Sequence, residues 1–133
     1  MTINSQHPPE IKISDAELEV MRIIWRENRP IKAAELCEVL EQAKNWSRST
    51  TNTLITRLRD KCLIEPADRY GVARYIPLIT EDDYILAEEK SLLDRFGSAK
   101  KLALAMVRNK HLTDTDLDEL REYFNSSWGE ANG

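Results

Sequence analysis

The sequence predicts a mainly α-helical protein with one small β-hairpin, and three observations predict it. Six stretches of the 133-residue chain repeat apolar residues at helical spacing. Four of them open on a residue placed to cap a helix: Ser14, Thr80, Ser98 and Thr113. One stretch, residues 63–77, reads instead as two short strands around a turn that contains Gly71. The length suits one domain, or one small domain with an appended interaction element. Apolar residues make up 41% and charged residues 32%, and no apolar run approaches the roughly 20 residues of a membrane span. Residues 1–10 are polar, contain Pro8 and Pro9, and lack the apolar centre of a secretory signal. The composition therefore predicts a cytoplasmic protein with no membrane partner.

The first helix is signalled by Ser14-Asp15-Ala16-Glu17, a capping box, followed by Leu18, Met21, Ile24 and Trp25. It should end near Asn28, before Pro30. A second helix runs from Lys32 or Ala33 to Gln42, with Ala33, Leu36, Cys37, Val39 and Leu40 on its apolar side. The third lies between Trp46 and Lys61. At about 100° per residue, Thr51, Leu54, Ile55, Leu58 and Cys62 share one stripe. Ser49, Asn52, Thr53 and Thr56 lie opposite, with Thr50 and Arg57 on a flank. Trp25 and Trp46 are the expected core anchors. Connections of a few residues force three such helices to pack across one another, which makes a helix-turn-helix core. Leu63–Pro66 and Val72–Pro77 then bracket Ala67–Gly71 as a β-hairpin. Three helices followed by a basic-tipped hairpin is the order of a winged helix, here spanning 11–79, with Arg69 and Arg74 on the wing.

Past Ile79 the pattern is helical again. One helix carries Tyr84, Ile85, Leu92, Leu93 and Phe96 and stops at Gly97. A shorter one carries Leu102, Met106 and Val107, and a third Leu117, Leu120, Tyr123 and Phe124. Three short helices cannot bury all of that surface among themselves. The expected cover is a second copy of the chain, which makes 80–125 a helical dimerisation domain; packing against the chain's own winged helix is the alternative. Residues 1–10 and 126–133 are expected to be flexible.

The third helix carries the candidate function. Short hydroxyl and amide side chains occupy a face where surface helices usually carry Glu and Lys. Such side chains let a helix backbone come near base edges and phosphates and can hydrogen-bond either. The net charge of −4 argues weakly against a nucleic-acid partner, yet it is unevenly spread. Residues 1–79 hold 12 bases and 11 acids, whereas residues 80–133 hold 7 and 12. From Lys44 to Tyr75 seven bases face three acids, a local balance of +4 that suits contact with phosphates. Cys37 and Cys62 have no C-x-x-C spacing and no nearby His, so neither a metal site nor a disulfide framework is signalled, and both are expected to pack as small hydrophobes. His7 and His111 lack matched nucleophiles or carboxylates, and no Gly-rich phosphate loop exists. No catalytic residue, metal or cofactor is predicted.

Ile13–Trp25, I-S-D-A-E-L-E-V-M-R-I-I-W, and residues 46–61, W-S-R-S-T-T-N-T-L-I-T-R-L-R-D-K, resemble two motifs of the penicillinase and methicillin-resistance repressors, the BlaI/MecI/CopY family. Tyr75–Pro77 is similar to that family's wing exit, and Phe96 with its surroundings to its dimerisation domain. The resemblance covers about residues 11–125. It implies a homodimeric transcriptional repressor on a palindromic operator, of the type that controls β-lactam resistance genes. The partners it implies are operator DNA, a second copy and, in the resistance branch, an inducing protease. It implies DNA contact by Ser49, Thr50, Thr53 and Arg57, with Arg48, Asn52 and Lys61 close by and Arg69 and Arg74 on the wing. Three departures stand out. Ala105-Met106 replaces the Asn-Phe bond cut in the resistance branch, so cleavage is not carried over. No cysteine follows Cys62, which removes the C-x-C pairs of the copper-responsive branch. Ser47-Arg48 replaces the frequent Ser-Pro, which removes a helix-start signal and adds a charge. The alternative to a DNA reader is a winged-helix module that docks proteins without sequence-specific DNA binding.

Overall fold

A computed structural model describes residues 11–68 and 70–128 of the chain. The elements run α1 (Asp15–Glu27), β1 (Ile31–Lys32), α2 (Ala33–Lys44), α3 (Arg48–Asp60), β2 (Ile64–Pro66), β3 (Arg74–Pro77), α4 (Glu81–Phe96), α5 (Ala99–Arg108) and α6 (Asp114–Tyr123), with a π turn over Phe124–Trp128. They fall into two units, residues 1–88 and 89–133.

In the first unit local chemistry sets each boundary. The Ser14 hydroxyl accepts the Glu17 N–H (3.1 Å) while Glu17 Oε1 accepts the Ser14 N–H (2.8 Å), closing the capping box that starts α1. Asn28 and Asn45, at φ 51° and 59°, end α1 and α2 in the left-handed conformation that Asn adopts more easily than most residues. Ser47 caps α3 without a following proline: its hydroxyl accepts the Thr50 N–H at 3.1 Å. Val20, Met21 and Ile24 of α1, Leu36 and Leu40 of α2, and Leu54, Ile55 and Leu58 of α3 form one core with Ile31, Ile64 and Tyr75 of the strands. Trp25 and Trp46 pack on its edge, half-buried.

The strands form an antiparallel sheet in the order β1-β3-β2. Ile64 stands opposite Pro77 and Pro66 opposite Tyr75, as a hairpin requires. The third strand is a structural addition to the expected hairpin. Ile31 pairs with Tyr75 and Lys32 with Arg74. Two residues are too few to show an alternating pattern, and their partners lie far along the chain. Cys62 also departs from expectation. Helix α3 stops at Asp60, and Cys62 takes φ 60°, so the thiol leaves the apolar stripe and is exposed, while Leu63 turns inward.

Two buried polar groups of this unit have different fates. Glu17, 2% exposed, is met by Lys61 Nζ at 2.6 Å. Burial alone would raise its pKa, but the hydrogen bonds from Lys61 and from the Ser14 backbone, with the lysine's charge, outweigh that and hold it below the ordinary value. Thr51, fully buried at the fourth position of α3, finds no hydrogen-bond partner for its hydroxyl among the described residues.

Tyr84, on the α4 stripe that the sequence assigns to pairing, lies within the first unit. Its ring lies 5.9 Å from that of Trp25, whose Nε1 donates to the Ile79 carbonyl at 3.0 Å. Burial first, then the neighbouring Glu88 carboxylate, raises the Tyr84 pKa. An aromatic three residues into a helix has an apolar partner close at hand, whichever unit the rest of the helix serves. Helix α4 ends at Gly97, whose φ of 69° lets the chain reverse before Ser98 caps α5, and Thr113 with Asp116 closes a capping box on α6. No residue of α4, α5 or α6 is buried. The π turn carries helical backbone three residues into the expected flexible tail; residues 1–10 and 129–133 lie outside the described residues.

Two measurements follow from these polar groups. Thr51→Val replaces an unsatisfied hydroxyl with a methyl of the same shape and should raise stability by about 1 kcal/mol in urea denaturation at pH 7. Glu17 has a folded pKa below its ordinary 4.5, so its contribution is full above that value and is lost as pH falls through the folded one. Urea midpoints measured between pH 7 and 3 should fall more steeply at the acid end for the native chain than for Glu17→Gln.

Candidate nucleic-acid interface

Helix α3 divides sharply between two environments. Thr51, Leu54, Ile55 and Leu58 are buried, whereas Arg48, Ser49, Thr50, Asn52, Thr53, Thr56 and Arg57 are all exposed. With Arg59 and Asp60, nine of the 13 helix positions face outward, most of them with short polar or guanidinium side chains. Ala16, Trp46, Ser49, Thr50, Thr53, Leu54 and Arg57 line a shallow cleft of about 410 Å³ along this side.

The hydroxyls are partly committed. Thr53 Oγ1 donates to the Ser49 carbonyl at 2.9 Å and Thr56 Oγ1 to the Asn52 carbonyl at 3.1 Å. Each keeps its oxygen lone pairs and its methyl group for a partner. The Ser47 and Thr50 hydroxyls lie 3.0 Å apart. Asn52 receives a long contact, 3.8 Å, from the buried Cys37 thiol to its Oδ1. Cys37 thus packs inward, as its sequence position indicated, and also touches the polar face.

The cations sort into two groups. Among the described residues Arg48, Arg57 and Arg74 make no ion pair and are exposed. Arg59 instead lies over the Tyr75 ring, 5.8 Å from its centroid. Lys61, which the resemblance puts close to the DNA-contacting residues, is turned back: its Nζ is held by Glu17 Oε1 (2.6 Å) and by the Lys12 carbonyl (3.0 Å). A buried carboxylate 44 residues upstream in sequence leaves no local trace, and it outcompetes solvent for the ammonium. Arg69 lies outside the described residues.

The sheet adds a cation that the sequence did not single out. The β1–β3 register puts Lys32 directly opposite Arg74. Like charges facing across a ladder are unfavourable unless an anion lies nearby. Only the short strand β1, unreadable in sequence, could have flagged Lys32. Beyond it the hairpin tip projects Tyr70 and Val72, 86% and 68% exposed.

The remaining predicted residues lie on the C-terminal helices. Leu93, Phe96, Met106, Val107, Leu120, Tyr123 and Phe124 are exposed, and Leu92, Leu102 and Leu117 are half-buried. Leu104 adds a further exposed apolar side chain to α5.

Known proteins share this arrangement. The penicillinase repressor of Bacillus licheniformis is 35% identical over 111 residues, covering 82% of this chain and 86% of the relative. The methicillin resistance regulatory protein MecI of Staphylococcus aureus is 33% identical over 116 residues, covering 86% and 94%. Among solved structures, the DNA-binding domain of the repressor BlaI matches with a TM-score of 0.50 and 36% identity, over 59% of this chain and 94% of that one. The monomeric form of Bacillus licheniformis BlaI in complex with the blaP half-operator matches with a TM-score of 0.50 and 37% identity, over 57% and 92%. The family model described as penicillinase repressor matches residues 13–126. With that much of its length matched, a winged helix in its first unit and relatives above 30% identity, this chain belongs to the penicillinase repressor family.

Proposed function

We propose that this protein is a homodimeric transcriptional repressor that binds a palindromic operator in double-stranded DNA and performs no chemistry of its own. One observation carries the reading: the outward face of α3 combines short polar side chains with Arg48 and Arg57, cations that no acid of the described residues neutralises. A helix of that kind fits the major groove, where side chains close to the backbone meet base edges and flanking arginines meet phosphates. The BlaI structure that matches 57% of this chain is in complex with the blaP half-operator, which supports DNA binding here.

In this reading Ser49, Thr50, Asn52 and Thr53 face base edges together with Arg57. Thr53, its hydroxyl proton spent on the Ser49 carbonyl, offers an acceptor and a methyl group, a combination suited to a cytosine or adenine amino group or to a thymine methyl. Arg48, Lys32 and Arg74 hold phosphates, and Arg69 joins them on the wing. The apolar stripes of α4–α6 supply the pairing surface, with Leu92, Leu93, Phe96, Leu102, Met106, Val107, Leu117, Leu120, Tyr123 and Phe124 as its members. Pairing two winged helices matches a dyad-related operator. The protein acts in the cytoplasm, on genes of the β-lactam resistance type. An inducing protease is the partner that the resemblance implies. The Ala105-Met106 bond lies inside α5, so a protease must first unwind that helix to reach it.

Selection of bound fragments from the parent genome followed by nuclease footprinting tests the reading. Two protected half-sites related by a dyad are expected; the absence of any salt-dependent protected site would favour a protein-docking module. Arg57→Ala should cost about 1 to 3 kcal/mol on the selected site and much less on random DNA. Arg48→Ala should weaken both duplexes similarly and lower the salt slope by about 1. Phe96→Asp combined with Leu120→Asp should convert a dimer to a monomer in sedimentation equilibrium while leaving the first unit folded by circular dichroism.

A further inference from the structure

We propose that Glu17 and Lys61 are positioning residues that fix the angle at which α3 is presented, and that Lys61 is not itself a phosphate contact. The inference rests on the reading of α3 as the DNA-facing helix. Lys61 follows the last residue of α3, and its Nζ joins three segments of chain at one point: the end of α3, Glu17 in the first turn of α1, and the Lys12 carbonyl in the irregular segment that leads into α1. Glu17 Oε1 also accepts the Ser14 N–H, so the carboxylate that grips the lysine is itself fixed by the capping box. The carboxylate side is 2% exposed and the lysine side chain 39%.

Among the described residues no other hydrogen bond or ion pair joins α1 to α3; the rest of the contact is mainly apolar burial, which is non-directional and resists separation far more than a small rotation. A charge-assisted hydrogen bond has a preferred length and direction. Placed at one end of a helix it acts as a pivot. A 13-residue helix is about 20 Å long, so a turn of about 5° at Lys61 displaces the Arg48 end by about 1.7 Å. Hydrogen-bond distances span only about 0.5 Å. Ser49, Thr50 and Thr53 sit toward the displaced end. Among the described residues the other polar ties from α3 to the rest of the fold are Arg59 over Tyr75 and Cys37 on Asn52; the first is a ring contact and the second a 3.8 Å thiol contact, both less directional.

A phosphate role for Lys61 predicts the opposite sign for one variant. Were the ammonium a DNA contact, Glu17 would compete for it, and Glu17→Gln would free the cation and strengthen binding to every duplex. With Glu17 as a positioning residue, the same change weakens the selective complex and leaves non-selective binding alone.

The test uses the full chain and two probes: a 30-base-pair duplex enriched by the native protein from a randomised library, and a scrambled duplex of the same composition. Folding of every variant is checked by circular dichroism and urea denaturation. E17Q and K61M should each bind the enriched duplex about tenfold more weakly, with scrambled-duplex affinity changed less than about twofold, and K61R should recover most of the loss. The salt slope of K61M should equal that of the native chain. If the single variants unfold, E17M combined with K61M keeps side-chain volume, leaves no lone buried charge, and carries the same comparison. A slope reduced by about 1 in K61M, tighter binding of both duplexes by E17Q, or unchanged selectivity in folded variants overturns the proposal. Failure of the native protein to enrich any duplex overturns the DNA reading itself, and this inference with it; normal enrichment with indifferent variants overturns this inference alone.

Discussion

The half-burial of α3 is the constraint on which the rest of the structure depends. Thr51, Leu54, Ile55 and Leu58 must sit against α1 and α2, or the outward positions have no platform. Each large apolar side chain so buried contributes about 1.5 to 3 kcal/mol. That is enough to hold a helix whose sequence is otherwise a poor one: Ser, Thr and Asn fill much of its length, and they lower helix propensity because they compete for backbone hydrogen bonds. Thr53 and Thr56 do compete, bonding carbonyls four residues back. Tertiary packing, helped by the Ser47 cap, overrides local preference, and the composition that weakens the helix is also what leaves its outer face short and polar.

Within that platform, burial and orientation have different sources. The core side chains of α1, α2 and α3 are aliphatic, and small shifts among them cost little. Direction comes from a few polar contacts at the edges: the Ser14–Glu17 box with Lys61, the Trp25 indole on the Ile79 carbonyl, and the β1–β3 pairing that pins the start of α2 to the sheet. Each joins residues far apart in sequence except the capping box. Thr51 is the counter-example, a buried hydroxyl with no partner among the described residues. Its side chain fills space beside Leu54 and Ile55, and we find no hydrogen-bonding reason for its oxygen.

Legibility in the sequence followed the same division. Helix periodicity, caps and the Gly-containing turn are local, so the six helices and the hairpin could be placed within a few residues. The two faces of α3 followed from a period of 3.6, and the exposed and buried sets match it except at Cys62, where a left-handed residue ended the period early. Non-local effects were not legible. Strand β1 exists only because Tyr75 and Arg74 arrive beside Ile31 and Lys32. Lys61 looks like any basic residue at a helix end until Glu17 is folded against it. Tyr84 fits an apolar stripe on α4 equally well whether it faces Trp25 or another molecule. A side chain's neighbour along a helix can be computed from spacing; its neighbour across the fold cannot.

The charge distribution makes physical sense for a protein of this kind. Attraction to phosphates supplies most non-specific binding, and a protein covered in cations would spend its time on arbitrary DNA. Here the acidic excess lies in residues 80–133, and residues 1–79 are nearly neutral overall, with cations left unpaired among the described residues on α3 and the sheet. Two cations that could have added to non-specific attraction are engaged within the molecule, Lys61 by Glu17 and Arg59 by the face of Tyr75. Reducing the indiscriminate part of the attraction while keeping short side chains free to meet base edges raises the ratio of selective to non-selective affinity, which is the quantity that matters when a site competes with a genome. On the proposed reading, a net charge of −4 is therefore compatible with DNA recognition, because selectivity depends on where the few available cations stand more than on their sum.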